Sequence, residues 1–240
     1  MEKLEFNKKM QEKSSELDIN FSVEQLEKFY RYMELLIEWN EKMNLTAIIE
    51  PNEIILKHFV DSLTIIKYLK NVKTLVDVGT GAGFPGIPVA IMMSNLEITL
   101  VDSLNKRLIF LEEVIKELRL TNVKLVHSRA EEFGQNKMYR EKFDIATSRA
   151  VANLSTLSEY LIPLVKINGN IISMKATQAE EEIEQAKNAI KELGGKINKI
   201  KEFNLPQSDI GRTIILISKE KQTPAKYPRK AGTPNKEPIK

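Results

Sequence analysis

The sequence predicts an α/β protein built on a mostly parallel sheet, and three observations carry that expectation. From Thr74 onward, short apolar runs alternate with stretches of helical periodicity, the pattern of βαβ units. The run Leu75-Val76-Asp77-Val78-Gly79-Thr80-Gly81-Ala82-Gly83-Phe84-Pro85-Gly86 takes an apolar strand through a glycine loop into a helix. Sheets of this kind bring bare backbone to a nucleotide-like ligand in that way. Near the end, two strand-like runs (196–203 and 213–219) follow one another with no helix between them. They predict a seven-stranded sheet closed at one edge by an antiparallel last strand.

The first seventy residues read as helices. Ser22 and Gln25 fit a capping box. Leu26, Phe29, Tyr30, Met33, Leu36 and Ile37 then recur at helical spacing up to about Trp39, and the polar stretch 40–44 is expected to break the pattern. Pro51 suits the first position of a second helix, with Ile54, Ile55, His58, Phe59, Ser62 and Leu63 along its inner side. Strands follow at 74–78, 97–102, 123–127, 143–148 and 170–175. Helices are expected at 86–93, 105–120, 155–164 and 180–193, the last stopped by Gly194-Gly195. From about Glu220 the chain holds four of its nine prolines and little apolar content, so a mostly extended tail is expected. The division is a helical extension (1–70), an α/β domain (71–219) and a basic tail (220–240).

Composition excludes several classes. A chain of 240 residues, 42% hydrophobic and 29% charged, supports a core and argues against global disorder. There is no cysteine, which removes disulfides, thiolate metal sites and a thiol nucleophile, and suits a reducing cytoplasm. No apolar run has the length of a membrane span, and residues 1–11 are too charged for a signal-peptide core. The two histidines, His58 and His127, are too few for a zinc site. The net charge is +3, but the segment from Lys219 carries seven basic and two acidic residues, leaving a near-neutral body. The tail therefore offers itself for phosphate contacts.

The glycine loop satisfies G-x-G-x-x-G at Gly81, Gly83 and Gly86, and Asp102 follows at the separation of a ribose-binding acid, so a dinucleotide reading stays open. S-adenosylmethionine fits better. Asp77 would repel a pyrophosphate but attract an ammonium. Pro85 and Pro88 lack the N–H groups that a diphosphate wants, and the chain leaves no room for a separate substrate domain. Asp102 is expected on ribose hydroxyls, or else as a cap for the next helix. Ala130 and Glu131 follow the third strand, where the next loop meets the adenine. Arg149 ends the fourth strand, where a cation can hold a carboxylate or a phosphate, or form a structural ion pair. Lys106 and Arg107 open a helix, where the dipole disfavours them, so they are candidates for RNA contact or else for a purely local role. Lys175 and Arg212 are further RNA candidates. Phe84 is placed against the cofactor, the base or the core. His58 and Asp61 share one helical turn and either lock the N-terminal helices onto the sheet or let His58 touch substrate; His127 is expected to be structural.

The segment Val76–Pro88 resembles motif I of the RsmG (GidB) family of bacterial ribosomal RNA methyltransferases. Further resemblance lies in Trp39-Asn40 with Asn44-Leu45-Thr46, His58 with Asp61-Ser62, Asp102-Ser103 with Lys106-Arg107, Arg129-Ala130-Glu131-Glu132, and Ser148-Arg149-Ala150. The ending Tyr227-Pro228-Arg229-Lys230-Ala231-Gly232-Thr233-Pro234-Asn235-Lys236 is similar to that of members from low-GC Gram-positive bacteria. The resemblance implies a cytoplasmic class I (Rossmann-like) methyltransferase that uses S-adenosylmethionine. Its target would be N7 of a guanine in the 530 loop of 16S rRNA, in the small ribosomal subunit. It also implies that Gly79 and Phe84 line the cofactor loop with Gly81 and Gly83 beside them, that Ala130 and Glu131 hold the adenine region, and that Arg149 lies at the methionine end. No metal, no membrane and a monomer are expected. The competing classes are an NAD-dependent oxidoreductase and a non-catalytic ribosome-associated protein.

Overall fold

The computed structural model describes residues 1–177 and 179–240. Its centre is a seven-stranded sheet in the order β3-β2-β1-β4-β5-β7-β6. The strands are β1 (Thr74–Val78), β2 (Glu97–Asp102), β3 (Val123–His127), β4 (Phe143–Arg149), β5 (Val165–Ala176), β6 (Gly195–Asn204) and β7 (Gly211–Lys219). Pairings from β3 through β5 are parallel, and β7 runs antiparallel to both β5 and β6. The terminal hairpin is as expected, with its last strand inserted one place in from the edge. Strand order reverses between β1 and β4, the switch point at which such sheets bind ligands.

Register decides which side chains share the functional edge. Asp77 pairs with Leu100 and Thr147, Asp102 with His127, and Arg149 with Met174, so the ends of the parallel strands lie in one row. Because β7 is antiparallel, its start joins that row: Lys175 pairs with Thr213 and Ala176 with Arg212.

Two cores cover the two faces, and strand alternation feeds both. Ile172 and Ile214 point into one core, Ile171 and Ile215 into the other. The first face carries the N-terminal helices α1 (Lys3–Ser14) and α2 (Val23–Met43), with α5 (Gly86–Met92) and α6 (Asn105–Glu117). The capping box of α2 forms in both directions, Ser22 N to Gln25 Oε1 at 2.9 Å and Gln25 N to Ser22 Oγ at 3.1 Å. This helix runs on through the polar stretch expected to break it and stops at Asn44, whose φ is 49°. Its last turn is largely solvated and needs no apolar side chains to persist. A further helix joins α3 (Pro51–Glu53), a π-helical stretch (Ile54–Val60) and α4 (Asp61–Leu63), with Pro51 in its first turn as expected.

The opposite face carries α7 (Ala130–Gln135), α8 (Leu154–Leu161), α9 (Glu180–Glu192) and the tail. The tail differs from a free extended segment. Tyr227 is buried, Arg140 donates to the carbonyls of Thr223, Pro224 and Tyr227, and Gln135 donates to that of Pro228. Residues Thr233–Lys236 form α10. Among the tail's cations, Lys219 pairs with Glu141, Lys226 with Glu192 and Arg229 with Glu159. Among the described residues no helix is long and apolar enough to cross a membrane.

Candidate active site

The glycine loop is braced from beneath by Asp77. Its carboxylate is fully buried and Oδ2 accepts from Thr80 Oγ1 at 2.8 Å and from Gly86 N at 3.0 Å, while Oδ1 has no hydrogen-bond partner. Burial pushes its pKa up from 3.8 to about 6. Gly79, at φ 70°, is the position where close approach matters: a Cβ there would lie 2.6 Å from Val151 Cγ2. Gly83, at φ 100°, faces inward, where a Cβ would meet Ile87, the Tyr32 hydroxyl and Leu111. It lets the helices close up and does not face a ligand. The Tyr32 hydroxyl donates to the Ala82 carbonyl, so α2 holds the loop from the N-terminal side.

Above the loop lies a cavity of about 440 Å³. Among the residues singled out by sequence, Gly79, Gly81, Phe84, Asp102, Arg107, Arg149 and His58 line it. Asp102 is engaged within the chain: Oδ2 accepts from Gly81 N at 2.9 Å and Arg107 Nη1 at 3.1 Å, and Oδ1 from Leu104 N at 2.9 Å. It ties the glycine loop to Leu104 and Arg107 around the start of α6 while lining the cavity, without capping that helix. The unpartnered Oδ1 of Asp77, the bare backbone at Gly79 and Gly81, and a strand-end carboxylate fit a nucleoside carrying an amino-acid arm.

One wall of this cavity is a stack. The rings of His58 and Phe84 lie 4.3 Å apart at 13°, and the Arg149 guanidinium carbon is 5.1 Å from the Phe84 centroid. Arg149 donates to the Lys57 carbonyl at 3.0 Å, Asp61 Oδ2 at 3.2 Å and His58 Nδ1 at 3.2 Å. A guanidinium has no acceptor, so Nδ1 of His58 is the lone-pair nitrogen and Nε2 carries the hydrogen. That hydrogen points at Thr46 Oγ1, 3.0 Å away. Burial and the Arg149 charge drive the His58 pKa down from 6.5 to about 3. Asp61 also accepts from Arg212 Nε, at 3.1 Å to Oδ1 and 3.0 Å to Oδ2. This one carboxylate thus joins α4 to the end of β4 and the start of β7. The π-helical stretch, a feature frequent at functional sites, sets His58 and Asp61 on Arg149 together.

A second cavity of about 500 Å³ adjoins the first and shares His58, Arg149 and Ala150 with it. Lys175 and Arg212 line this one. The Lys175 ammonium donates to the Ala152 carbonyl and to Glu182 Oε1, each at 2.5 Å. Other expected residues lie elsewhere. Lys106 is exposed, with Nζ 3.3 Å from the Met43 carbonyl. Glu131 is buried and accepts from Gly232 N at 2.7 Å and the Tyr160 hydroxyl at 3.4 Å, so its side chain faces the tail; Ala130 precedes it at the start of α7. His127 contacts the Ser103 carbonyl at 3.0 Å.

Four contributors were not singled out as site residues by sequence. Asp61 was noted only as a neighbour of His58; Thr46 lay within a quoted run. Tyr32 reads as ordinary helix core, and Glu182 is hidden in the run Glu180-Glu181-Glu182, which looks like first-turn acid on a helix.

Known proteins place the chain. The model of the GidB family, described as rRNA small subunit methyltransferase G, matches residues 25–210. The ribosomal RNA small subunit methyltransferase G of Alkaliphilus metalliredigens is 53% identical over 227 residues, 94% of this chain and 95% of that protein. That of Acetivibrio thermocellus is 52% identical over 237 residues, 98% of each. Among solved structures, the 16S rRNA (adenine(1408)-N(1))-methyltransferase of Catenulisporales acidiphilia aligns with a TM-score of 0.51 at 14% identity, covering 63% of this chain and 87% of that one. The precorrin-6y C5,15-methyltransferase of Geobacter metallireducens gives 0.51 at 16%, covering 66% and 87%. At these identities the structures speak to the fold alone, a methyltransferase α/β sheet. The family match and the near-full-length relatives go further: this chain belongs to the RsmG (GidB) family of rRNA small subunit methyltransferases.

Proposed function

We propose that this protein transfers a methyl group from S-adenosylmethionine to N7 of a guanine in the 530 loop of 16S rRNA, acting on the small ribosomal subunit in the cytoplasm as a monomer. Family membership is the observation that carries this reading, and the paired cavities give it a physical form. Bound S-adenosylmethionine supplies an electrophilic methyl group on a sulfonium sulfur. The backbone at Gly79 and Gly81 and the Phe84 ring would cradle it, Asp102 would accept from the ribose, and the start of α7 at Ala130 would border the adenine, with the Glu131 side chain turned to the tail. Asp77 lends negative charge beneath the loop, and Arg149 orients the methionine end.

Guanine N7 is a ring lone pair without a proton, so the transfer requires no general base. His58 is built accordingly. Its one lone pair already accepts from Arg149 and its pKa of about 3 keeps it neutral, so it shapes the pocket and moves no proton. Catalysis then rests on alignment of nucleophile, methyl carbon and sulfur. Arg107 and Lys106 at the start of α6, with Arg212 at the second cavity, supply positive charge toward the RNA. An oxidoreductase would need a proton donor or acceptor beside the cofactor, and the histidine at this cavity is held in a form that serves as neither.

The test is incorporation of labelled methyl into undermethylated 30S subunits and naked 16S rRNA, followed by mapping of the modified base. Label on one guanine of the 530 loop is expected. Cofactor binding with no label in either substrate would favour a non-catalytic ribosome-associated role.

A further inference from the structure

The second cavity holds a charge pattern that the donor site does not use. Four cations line it, Lys57, Arg149, Lys175 and Arg212, with two carboxylates, Asp61 and Glu182. The carboxylates differ in what they have left to offer. Asp61 is buried and both its oxygens accept from arginines. Glu182, in the first turn of α9, is partly exposed and touches one cation, Lys175. Lys175 and Glu182 lie on the part of the lining that is not shared with the donor cavity. An ammonium and a carboxylate thus stand side by side, donor next to acceptor, on the part of the lining that belongs to this cavity alone.

Resting on the guanine-N7 reading above, we propose that this cavity holds the flipped target guanine and that the Lys175–Glu182 pair reads its identity. With N7 turned toward the shared wall and the methyl donor, O6 lies beside it and the Watson–Crick edge turns to the unshared part of the lining. Guanine presents there an acceptor, O6, followed by two donors, N1–H and the N2 amine. Lys175 donates to O6, and Glu182 accepts from N1–H and N2–H. Adenine also carries N7 but presents the reverse order, an amine donor at C6 and a bare N1 acceptor, so both contacts turn repulsive. Flipped bases are read at this edge by enzymes that act on them. The His58 ring, itself stacked on Phe84, and the apolar Ile48 and Met174 supply further lining. The Lys175 bond to the Ala152 carbonyl ties the reader to the loop carrying Val151, which lies over Gly79.

The test uses the full-length protein and 30S subunits reconstituted with guanine or inosine at the target position; inosine lacks only the N2 amine. Wild type is expected to lose about tenfold in kcat/KM on inosine subunits. Glu182→Ala should lose about 10- to 100-fold on guanine subunits, with unchanged S-adenosylmethionine affinity by calorimetry, and little more on inosine. Glu182→Gln, which keeps an acceptor oxygen, should recover part of the loss on guanine. Should Glu182→Ala fail to bind cofactor, the same cycle is read with Glu182→Gln. Wild-type kcat/KM in Glu182→Ala, or an inosine penalty as large in the variant as in wild type, overturns the assignment. If wild type transfers no label even to guanine subunits, the proposed function itself fails.

Discussion

The two terminal segments of the chain are held on the sheet in different ways. The N-terminal helices are held by an apolar cluster: Phe6, Phe29, Tyr32 and Phe59 are fully buried, their rings 5.2 to 6.3 Å from one another across Phe59. The C-terminal tail is held by polar contacts. Arg229 forms a paired contact with buried Glu159, Arg140 gathers the Thr223, Pro224 and Tyr227 carbonyls, and Glu131 accepts from Gly232 N. The N-terminal segment also reaches the cavities through Asp61, whereas the Glu131 carboxylate is turned to the tail. Apolar burial is non-directional and gives stability; hydrogen bonds to backbone are directional and give placement.

Substitutions should separate the two modes. Phe59→Ala leaves a cavity in the aromatic cluster and should cost about 4 kcal/mol of global stability in urea denaturation. Arg229→Ala leaves the Glu159 carboxylate buried without its partner. Because Arg229 itself is 26% exposed, the cost should be about 2 kcal/mol. It should appear first as faster hydrogen exchange across 222–240, below the global transition. If Arg229→Ala instead lowers the global midpoint as much as Phe59→Ala does, the two segments are not held differently.

A third test uses pH at the seam between them. The folded state binds the Asp77 proton more tightly than the unfolded chain does, so its ionisation removes stability as pH rises from 3.8 to about 6. His58 acts in the opposite sense. The unfolded chain takes up its proton first, so stability is lost as pH falls from 6.5 towards about 3. Asp77→Asn should remove the first slope and His58→Gln the second, read as urea midpoints between pH 4 and 7. Asp77→Asn should also abolish any weakening of S-adenosylmethionine binding below about pH 6. The smallest effect is expected at Lys106, which touches the end of α2 but is exposed. Lys106→Ala should leave stability and cofactor affinity unchanged and reduce the salt slope of RNA binding by about 1.

This contrast also explains what was legible in the sequence. Periodicity reports apolar faces, so the strands and the capped α2 helix could be read, as could the loop at Asp77–Gly86. Polar docking leaves no period. Nothing in Tyr227-Pro228-Arg229 announces that its partners are Glu159 and the Arg140 guanidinium, so the tail reads as free basic chain. The same blindness applies within the site. Arg149 and Arg212 are legible as strand-end cations, but their common partner Asp61 lies 88 and 151 residues away. The glycines too are legible as a group, whereas their division of labour, Gly79 toward the cavity and Val151, Gly83 toward helix packing, depends on neighbours brought in by the fold.

If the two cavities take the cofactor and the target base as proposed, their common wall makes cofactor and RNA thermodynamic partners. His58, Arg149 and Ala150 face both, so an occupant on one side limits the positions available to the other. By linkage, the factor by which cofactor raises RNA affinity must equal the factor by which RNA raises cofactor affinity. A ribosomal subunit bearing the correct base would then tighten the enzyme's hold on its methyl donor, and the demethylated donor, lacking the sulfonium charge, would loosen the hold on RNA as the modified subunit departs.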